Sequence, residues 1–332
     1  MEIKTVKDLG EFACIKKISK NFIYNPKLVK LGSGDDGAVY TVPEGFDQVI
    51  STDTMVEGIH FLKSTMSPSD VGYRICAVNF SDMAAMGALP TGIVFSLALP
   101  DDLPVNWLEF CYDGIREACK KYNVNILGGD ITGSKQGVVL TGTVVGIVKK
   151  NSYITRSGAK EGDIVFVTGT VGDSAAGLIS LLHNCENDYL KKRHTRPEPQ
   201  IEWGQYFSEV GVNSLNDISD GLSRELNEIA AASNVVIQID STKIPISKET
   251  CELSEKLGKN SLELALDGGE DYELVGTASK EIWKKIKLKK GITAIGTVKK
   301  GIKSSVEILH KGKIKKVAAK GYDHFIKNDL YK

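Results

Sequence analysis

The chain has 332 residues, of which 42% are hydrophobic and 25% charged, a globular composition long enough for two domains of ordinary size. Lys plus Arg and Asp plus Glu both number 42, so the formal net charge is zero, which gives no electrostatic case for a nucleic-acid or anionic-membrane partner. The six cysteines, Cys14, Cys76, Cys111, Cys119, Cys185 and Cys251, include no C-x-x-C pair, which speaks against a zinc site or a disulfide framework and fits free thiols in a reducing cytoplasm.

The opening MEIKTVKDLGEF lacks a cationic region followed by an apolar one, so no signal peptide is expected. No apolar run reaches the ~18–20 residues that span a bilayer, and the protein is expected to be soluble and cytoplasmic. Residues 8–20 read as a helix, and 38–42 and 48–53 as strands. SPSDVGYRICAVNFSDMAAMG opens a helix at Ser67 and Pro68 and runs to 87. TGIVFSLAL is a strand, 104–122 an amphipathic helix, VNIL a short strand and GVVLTGTVVGIV a long one. The polar stretch KKNSYITRSGAKEGD then separates two apolar strand patterns and sets a domain boundary near 150, giving domains 1–150 and 151–332. The second half reads as a strand (DIVFVTG), a helix from Asp173 to His183, a polar Pro-rich bend (KKRHTRPEPQ) and a further helix. A helix after Asp220, the strand VVIQI and more helix and strand complete it. The expected class is α+β, two α/β-type domains without the regular repeat of a TIM barrel.

GSGDDG, Gly32 to Gly37, spells G-x-G-x-x-G, but AVYTVPEG follows it, which favours a strand over the helix a dinucleotide turn requires. Its two aspartates, Asp35 and Asp36, would also repel a bare pyrophosphate. Other acids recur at element ends. Strand 48–53 ends in Ser51-Thr52-Asp53, donors suited to a hard cation or to plain strand termination. Asp82 follows Ile75 and Val78 and precedes Met86 at spacings of 3 and 4, on the apolar stripe of its helix beside Asn79. A carboxylate there must meet a cation, a metal or donor groups. GGD, Gly128 to Asp130, follows VNIL, where its two glycines permit unusual dihedrals or close approach of a ligand to the backbone, or simply make an ordinary turn. Asp217 and Asp220 flank Ser219 in DISDG, where Asp220 could simply cap the following helix. ALDGGEDYEL repeats glycines and acids before an apolar strand.

Converging carboxylates repel unless cations join them, and oxygen ligands suit Mg²⁺ or Ca²⁺ rather than zinc. Glycine-rich turns can meet phosphates through backbone N–H groups. The residues therefore point to a Mg²⁺-dependent enzyme acting on phosphorylated substrates, without a P-loop or a protein-kinase signature.

The ordered set GDDGAV, STDTMVEGIHF, NFSDMAAMGA, GGD, TRSGAKEGD, DISDGL, GGEDYEL and GYDHF resembles the thiamine-monophosphate kinase family over nearly the whole chain. That family belongs to the superfamily of aminoimidazole ribonucleotide synthetase and selenophosphate synthetase. The resemblance implies ATP-dependent phosphorylation of thiamine monophosphate to thiamine diphosphate, the last step of thiamine diphosphate biosynthesis, by direct in-line transfer. It implies a homodimer whose N-terminal sheets pair into a barrel-like core, a C-terminal domain of the aminoimidazole ribonucleotide synthetase type, and ATP and several Mg²⁺ ions lying between the domains. Position by position, Asp36, Ser51, Thr52, Asp53, Asp82, Asp130 and Asp217 match Mg²⁺ ligands, with Asp35 beside them. Asp220 matches a metal position near the acceptor phosphate. Gly129, Asp130, Arg156 and Ser219 match ATP-contacting positions, as does Tyr112. His60, Glu270 and Tyr322 match the substrate-binding positions. Ile131, where the family often has threonine, and the bulky Phe80 and Met83 depart from the pattern without removing a ligand. The competing readings are a sister enzyme that releases free phosphate and a non-catalytic nucleotide- or Mg²⁺-binding module.

Overall fold

The structure, a computed structural model, describes residues 4–32, 37–185 and 187–321. Its contacts divide the chain into two units, Met1–Met83 with Ala88–Asn151, and Ala84–Gly87 with Ser152–Lys332.

The first unit begins with α1 (Val6–Leu9) and α2 (Glu11–Ile18). The single helix expected over 8–20 is broken at Gly10, whose φ of +80° leaves the helical region. A two-stranded sheet follows, β1 (Val29–Leu31) against β2 (Val39–Tyr40). The remaining elements are β3 (Phe46–Val56), α3 (Pro68–Ala85), β4 (Leu89–Pro100), α4 (Val105–Tyr122), β5 (Asn125–Ser134) and β6 (Val139–Lys149). Their sheet runs β3-β6-β4-β5, with β4 and β5 parallel across α4. Helix α3 starts where the Ser-Pro signal places it. The Ser67 hydroxyl accepts from Asp70 N–H at 3.2 Å, while Asp70 accepts from the Ser67 hydroxyl at 2.7 Å, a reciprocal N-terminal cap.

Helices α3 and α4 cover one face of this sheet. Asn79 and Met83 of α3 fill the space a Cβ would need at Gly142 and Gly146 of β6, and Tyr112 of α4 meets Phe95 of β4 edge to face. The two helices themselves approach through glycines: a Cβ on Gly72 would lie 1.8 Å from the Cys111 carbonyl oxygen, and one on Gly114 would lie 1.9 Å from that of Ser69. The opposite face carries exposed side chains, among them Ile50 and Val94. It also carries two threonine pairs, Thr52–Thr143 and Thr54–Thr141, with Oγ1 atoms 3.0 and 2.8 Å apart.

The second unit contains β7 (Ile164–Thr168), α5 (Asp173–Leu182), α6 (Asp188–Thr195), α7 (Ile201–Val210), β8 (Ser214–Asp217), α8 (Leu222–Ser233) and β9 (Val236–Asp240). It continues with α9 (Lys248–Lys256), α10 (Ser261–Asp267), β10 (Leu274–Ala278), α11 (Lys280–Ile286), β11 (Ile292–Lys299), β12 (Ser305–His310) and β13 (Lys313–Val317). Its seven-stranded sheet runs β13-β12-β9-β11-β7-β10-β8. Ile218, Leu222, Leu226 and Ile229 pack a buried stripe on the inward residues of β7, β9, β10 and β11. KKRHTRPEPQ, expected as a bend, is helical through Thr195: Leu190 and His194 lie one turn apart and both are buried, which anchors an otherwise charged helix.

Candidate functional site

In the first unit, strand parity sorts the candidate ligands. Ser51, Asp53 and the buried Met55 of β3 point to the helix-covered face. The Ser51 hydroxyl donates to Asp82 Oδ2 of α3, and Asp53 lies two residues along the same face. Asp82 is half-buried rather than sealed in the stripe. Asn79, fully buried, donates to the Ile75 carbonyl at 2.8 Å. Thr52 points to the other face and donates to the Gly142 carbonyl at 2.8 Å.

GGD is not a turn. It lies within β5, where a one-residue irregularity at Leu127 shifts the register so that Gly129 pairs with Phe95 and Asp130 with Ser96. A Cβ on Gly129 would stand 2.2 Å from the Phe95 carbonyl oxygen, so the glycine serves close strand packing. The paired rows run Asp53–Gly142–Phe95–Gly129 and Thr54–Thr141–Ser96–Asp130. Asp130 is therefore exposed on the face away from Asp53 and Asp82. It is also three strand spacings from β3, about 14 Å at the usual separation.

Tyr112 packs among core aromatics of the first unit. It is 3% exposed and stacks on Phe22 at 6.0 Å, and burial pushes its phenol pKa up. His60 stands on the turn after β3, where its Nδ1 accepts from the Val56 N–H at 3.0 Å. In the neutral ring that contact leaves the proton on Nε2, a donor directed away from its own backbone. Asp35, Asp36 and Tyr322 lie outside the described residues.

In the second unit, DISDG and GGEDYEL run side by side. Glu270 N–H donates to the Ser219 carbonyl at 2.6 Å, Tyr272 N–H to Ile218 at 2.9 Å, and Ile218 N–H to Glu273 at 2.7 Å. Glu270 and Tyr272 hold left-handed conformations, φ +68° and +53°, costing of order 1 kcal/mol each, the kind of strain that collects at ligand-handling loops. Asp217 ends β8 and is 4% exposed, whereas Asp220 is half-exposed with Arg224 Nε 3.7 Å away. Asp220 is not the helix cap: Gly221 occupies that position, at φ +116°. Instead the Asp220 N–H donates to Glu225 Oε1 at 3.2 Å. Burial first, then the nearby Asp217 charge, pushes the Glu225 carboxyl up to about 8. Arg156, exposed on the segment before β7, donates through Nε to Asn216 Oδ1 at 3.1 Å.

Behind these loops is a buried ionic cluster. Asp173, fully buried at the start of α5, accepts from Thr250 and Tyr189 hydroxyls at 2.7 Å each and faces Arg193 Nε at 3.5 Å. Arg193 also donates to Glu273 Oε1 at 2.9 Å, and Thr168 donates to Glu273 Oε2 at 2.6 Å. Asp271 accepts the Gly172 and Ser174 N–H groups at 2.6 and 3.0 Å. Burial, partly offset by Arg193, raises its carboxyl to about 7. His194 Nδ1 lies 3.1 Å from Ser174 Oγ and 3.8 Å from Glu270 Oε2. The cluster fixes the GGEDYEL backbone from below. The sequence signal for it was the acid-rich spacing of Glu270, Asp271 and Glu273, one residue apart or two, before an apolar strand.

Family models for AIR synthase related protein match residues 34–148 as the N-terminal domain and 160–308 as the C-terminal domain. A thiamine-monophosphate kinase of Bacillus subtilis is 41% identical over 96% of this chain and 100% of its own length. The chain belongs to the thiamine-monophosphate kinase family. Two solved structures of that family superpose on it. The enzyme of Stenotrophomonas maltophilia gives a TM-score of 0.78 at 32% identity, covering 90% of this chain and 96% of its own. AaThiL complexed with AMPPCP and TMP gives 0.77 at 37% identity, covering 97% and 99%. The two AIR synthase type domains are thereby assigned to this chain.

Among the described residues no group of three or more His, Cys, Asp or Glu side chains closes a metal cage. The donor chemistry is nonetheless that of a hard cation: carboxylates and hydroxyls, with Ser51 already oriented on Asp82. Mg²⁺ is commonly held by one or two carboxylates together with substrate phosphates rather than by an all-protein cage, and the Asp53–Asp82 side of the sheet fits that pattern.

Proposed function

We propose that this chain transfers the γ-phosphoryl group of ATP to thiamine monophosphate, giving thiamine diphosphate and ADP. The observation that carries the reading is kinship along the full length of the B. subtilis thiamine-monophosphate kinase. The structure of AaThiL with AMPPCP and TMP supports the substrate pair. In the proposed step a phosphate oxygen of thiamine monophosphate attacks the γ-phosphorus in line. A new P–O bond forms as the bond to the β,γ-bridging oxygen breaks, and ADP leaves with that electron pair. The attacking oxygen is largely ionised near neutral pH, so no strong general base is needed, and the work is positioning and charge neutralisation. Mg²⁺ ions would offset the repulsion between the two polyanions. Ser51, Thr52, Asp53, Asp82 and Asp130 would hold metal in the first unit, and Asp217 and Asp220 in the second. Ser51 orients the Asp82 carboxylate. Gly129, Asp130, Arg156 and Ser219 would contact the nucleotide, and His60 and Glu270 the thiamine phosphate.

Purified protein with ATP, Mg²⁺ and thiamine monophosphate should yield ADP and thiamine diphosphate one to one. Free phosphate in place of thiamine diphosphate would instead indicate the chemistry of a sister enzyme, and no product a passive binder.

We further propose that the working unit is a homodimer closed through the bare face and edges of the first unit's sheet. Exposed apolar Ile50 and Val94 on that face support a covering partner. So does the position of Asp53 and Asp130 on opposite edge strands, because a two-fold closure of β5 onto the other copy's β3 would set the two strands that carry them side by side at one seam. Asp53→Asn and Asp130→Asn should each be inactive, and a mixture refolded together should recover about a quarter of wild-type activity through mixed dimers. A mixture as inactive as its parents would remove the shared-site reading.

A further inference from the structure

We propose that Asn216 and Glu225 are positioning residues that tie the Arg156 guanidinium to the Asp217–Asp220 loop, so that one buried amide–carboxylate pair sets both. This rests on the reading above that Arg156 contacts ATP and that the loop acids hold metal. The connection is continuous. Arg156 Nε donates to Asn216 Oδ1 at 3.1 Å, Asn216 Nδ2 donates to Glu225 Oε2, and Glu225 Oε1 accepts the Asp220 N–H at 3.2 Å. Asn216 is 3% exposed and Glu225 2% exposed. Each uses both ends of its polar group: one end of each joins the two residues, and the other end points outward, from Asn216 toward the cation and from Glu225 toward the loop.

The fold alone does not need this pair. Asn216 lies in β8 between Leu215 and Asp217, where an apolar residue would pair with Val275 of β10 equally well. A buried polar pair in a strand and an adjoining helix is costly unless satisfied. Here satisfaction is reached by orienting Arg156 and by holding the backbone of Asp220. The Arg156 main chain is fixed separately, since Leu215 N–H donates to the Thr155 carbonyl at 3.0 Å. Losing the Asn216 amide therefore frees the guanidinium and leaves its backbone in place. Glu225 lies in the first turn of α8, one residue beyond Arg224, so the helix start holds the side chain against both Asn216 and the Asp220 N–H.

The experiment is a double-mutant cycle between Asn216→Leu and Arg156→Gln in the full chain. The first readout is the Kd for AMPPCP with Mg²⁺ by calorimetry, and the second is the KM for ATP and for thiamine monophosphate. Asn216→Leu should weaken AMPPCP roughly tenfold, the scale of one charge-assisted hydrogen bond, and raise the KM for ATP alike. The KM for thiamine monophosphate should stay within about twofold. On the Arg156→Gln background the same change should add less than about twofold, because the two act through one link. Unchanged AMPPCP binding, or effects that add in full, would overturn the proposal. Thermal unfolding and near-UV dichroism report whether Asn216→Leu folds. If it does not, Glu225→Gln decides: Gln keeps an acceptor for Asp220 N–H and loses the one facing Asn216, so a several-fold weakening that Arg156→Gln absorbs is expected, and wild-type binding refutes the link. A wild-type chain that binds AMPPCP but makes no thiamine diphosphate defeats the functional reading while the cycle still judges the link. A wild-type chain that does not bind AMPPCP defeats both.

Discussion

Gly114→Ala tests the helix pair that carries Asp82. The added methyl carbon would lie 1.9 Å from the Ser69 carbonyl oxygen and 2.8 Å from both Ser69 C and Tyr73 N. All three atoms are backbone, so no side chain can rotate away, and α3 and α4 must move apart by more than an ångström. Overpacking of this kind costs about 1–3 kcal/mol and at times more. The exchange of Gly for Ala within a helix returns about 1 kcal/mol. With three backbone atoms within 2.8 Å the overpacking cost belongs at the upper end, ~3 kcal/mol, so the net loss should be about 2 kcal/mol, a visible part of the ~5–15 kcal/mol of a typical domain, and should lower Tm by several degrees. Gly133→Ala, at a site with nothing within 4 Å of the new carbon, is the matched control and should change stability by less than about 0.5 kcal/mol. Because α3 presents Asp82 to Ser51, kcat should fall in Gly114→Ala even at temperatures where the protein is folded. A variant as stable as wild type or more so, by thermal unfolding followed at two wavelengths, would refute the close crossing.

Asp82→Asn, which removes charge and little volume, should abolish turnover while Tm stays within a few degrees; near-normal activity would refute its metal role. Ser51→Ala, which deletes the hydroxyl bonded to that carboxylate, should lower kcat by a smaller factor and raise the Mg²⁺ concentration needed for half-maximal rate. Arg193→Met leaves Glu273 and Asp173 buried without their cation and should cost ~3–5 kcal/mol, read by urea unfolding. Burial pushes the Asp271 carboxyl up to about 7 in the folded state, whereas an unfolded Asp keeps its ordinary value of about 4. The folded state alone therefore holds that proton between those values. Its contribution to stability is full below about pH 4, is lost as pH rises toward 7, and is flat above. Asp271→Asn should reduce the decline of Tm between about pH 4 and 7, and an unchanged slope would assign that decline to other groups.

The legible features were those fixed by local period and punctuation. The Ser-Pro start of α3, the spacing that put Asp82 with Ile75 and Val78, and the strands on either side of residue 150 follow from rules that act within a few residues. Strand parity was also available: Ser51 and Asp53 share a face and Thr52 does not, because side chains alternate along β3. What could not be read was Asp130. Counting from VNIL gives no face for it, since the irregularity at Leu127 resets the alternation and is set by pairing with β4, a partner about 30 residues away in sequence. The same limit hid the ionic cluster. Asp173 and Arg193 are distant in sequence from Glu273, and only the acids of GGEDYEL stand out locally, while nothing marks Asp173 or Arg193 as buried. Composition misled at KKRHTRPEPQ, where prolines suggested a bend, although Leu190 and His194 at helical spacing were the better guide. These failures share a cause with the proposed chemistry. A phosphoryl-transfer site gathers charges from many elements onto one pair of polyanions, so its supporting contacts are long-range by construction. The residues that short motifs miss, Asn216 and Glu225 among them, are therefore the ones whose replacement should best separate a site that merely contains its ligands from one that holds them in place.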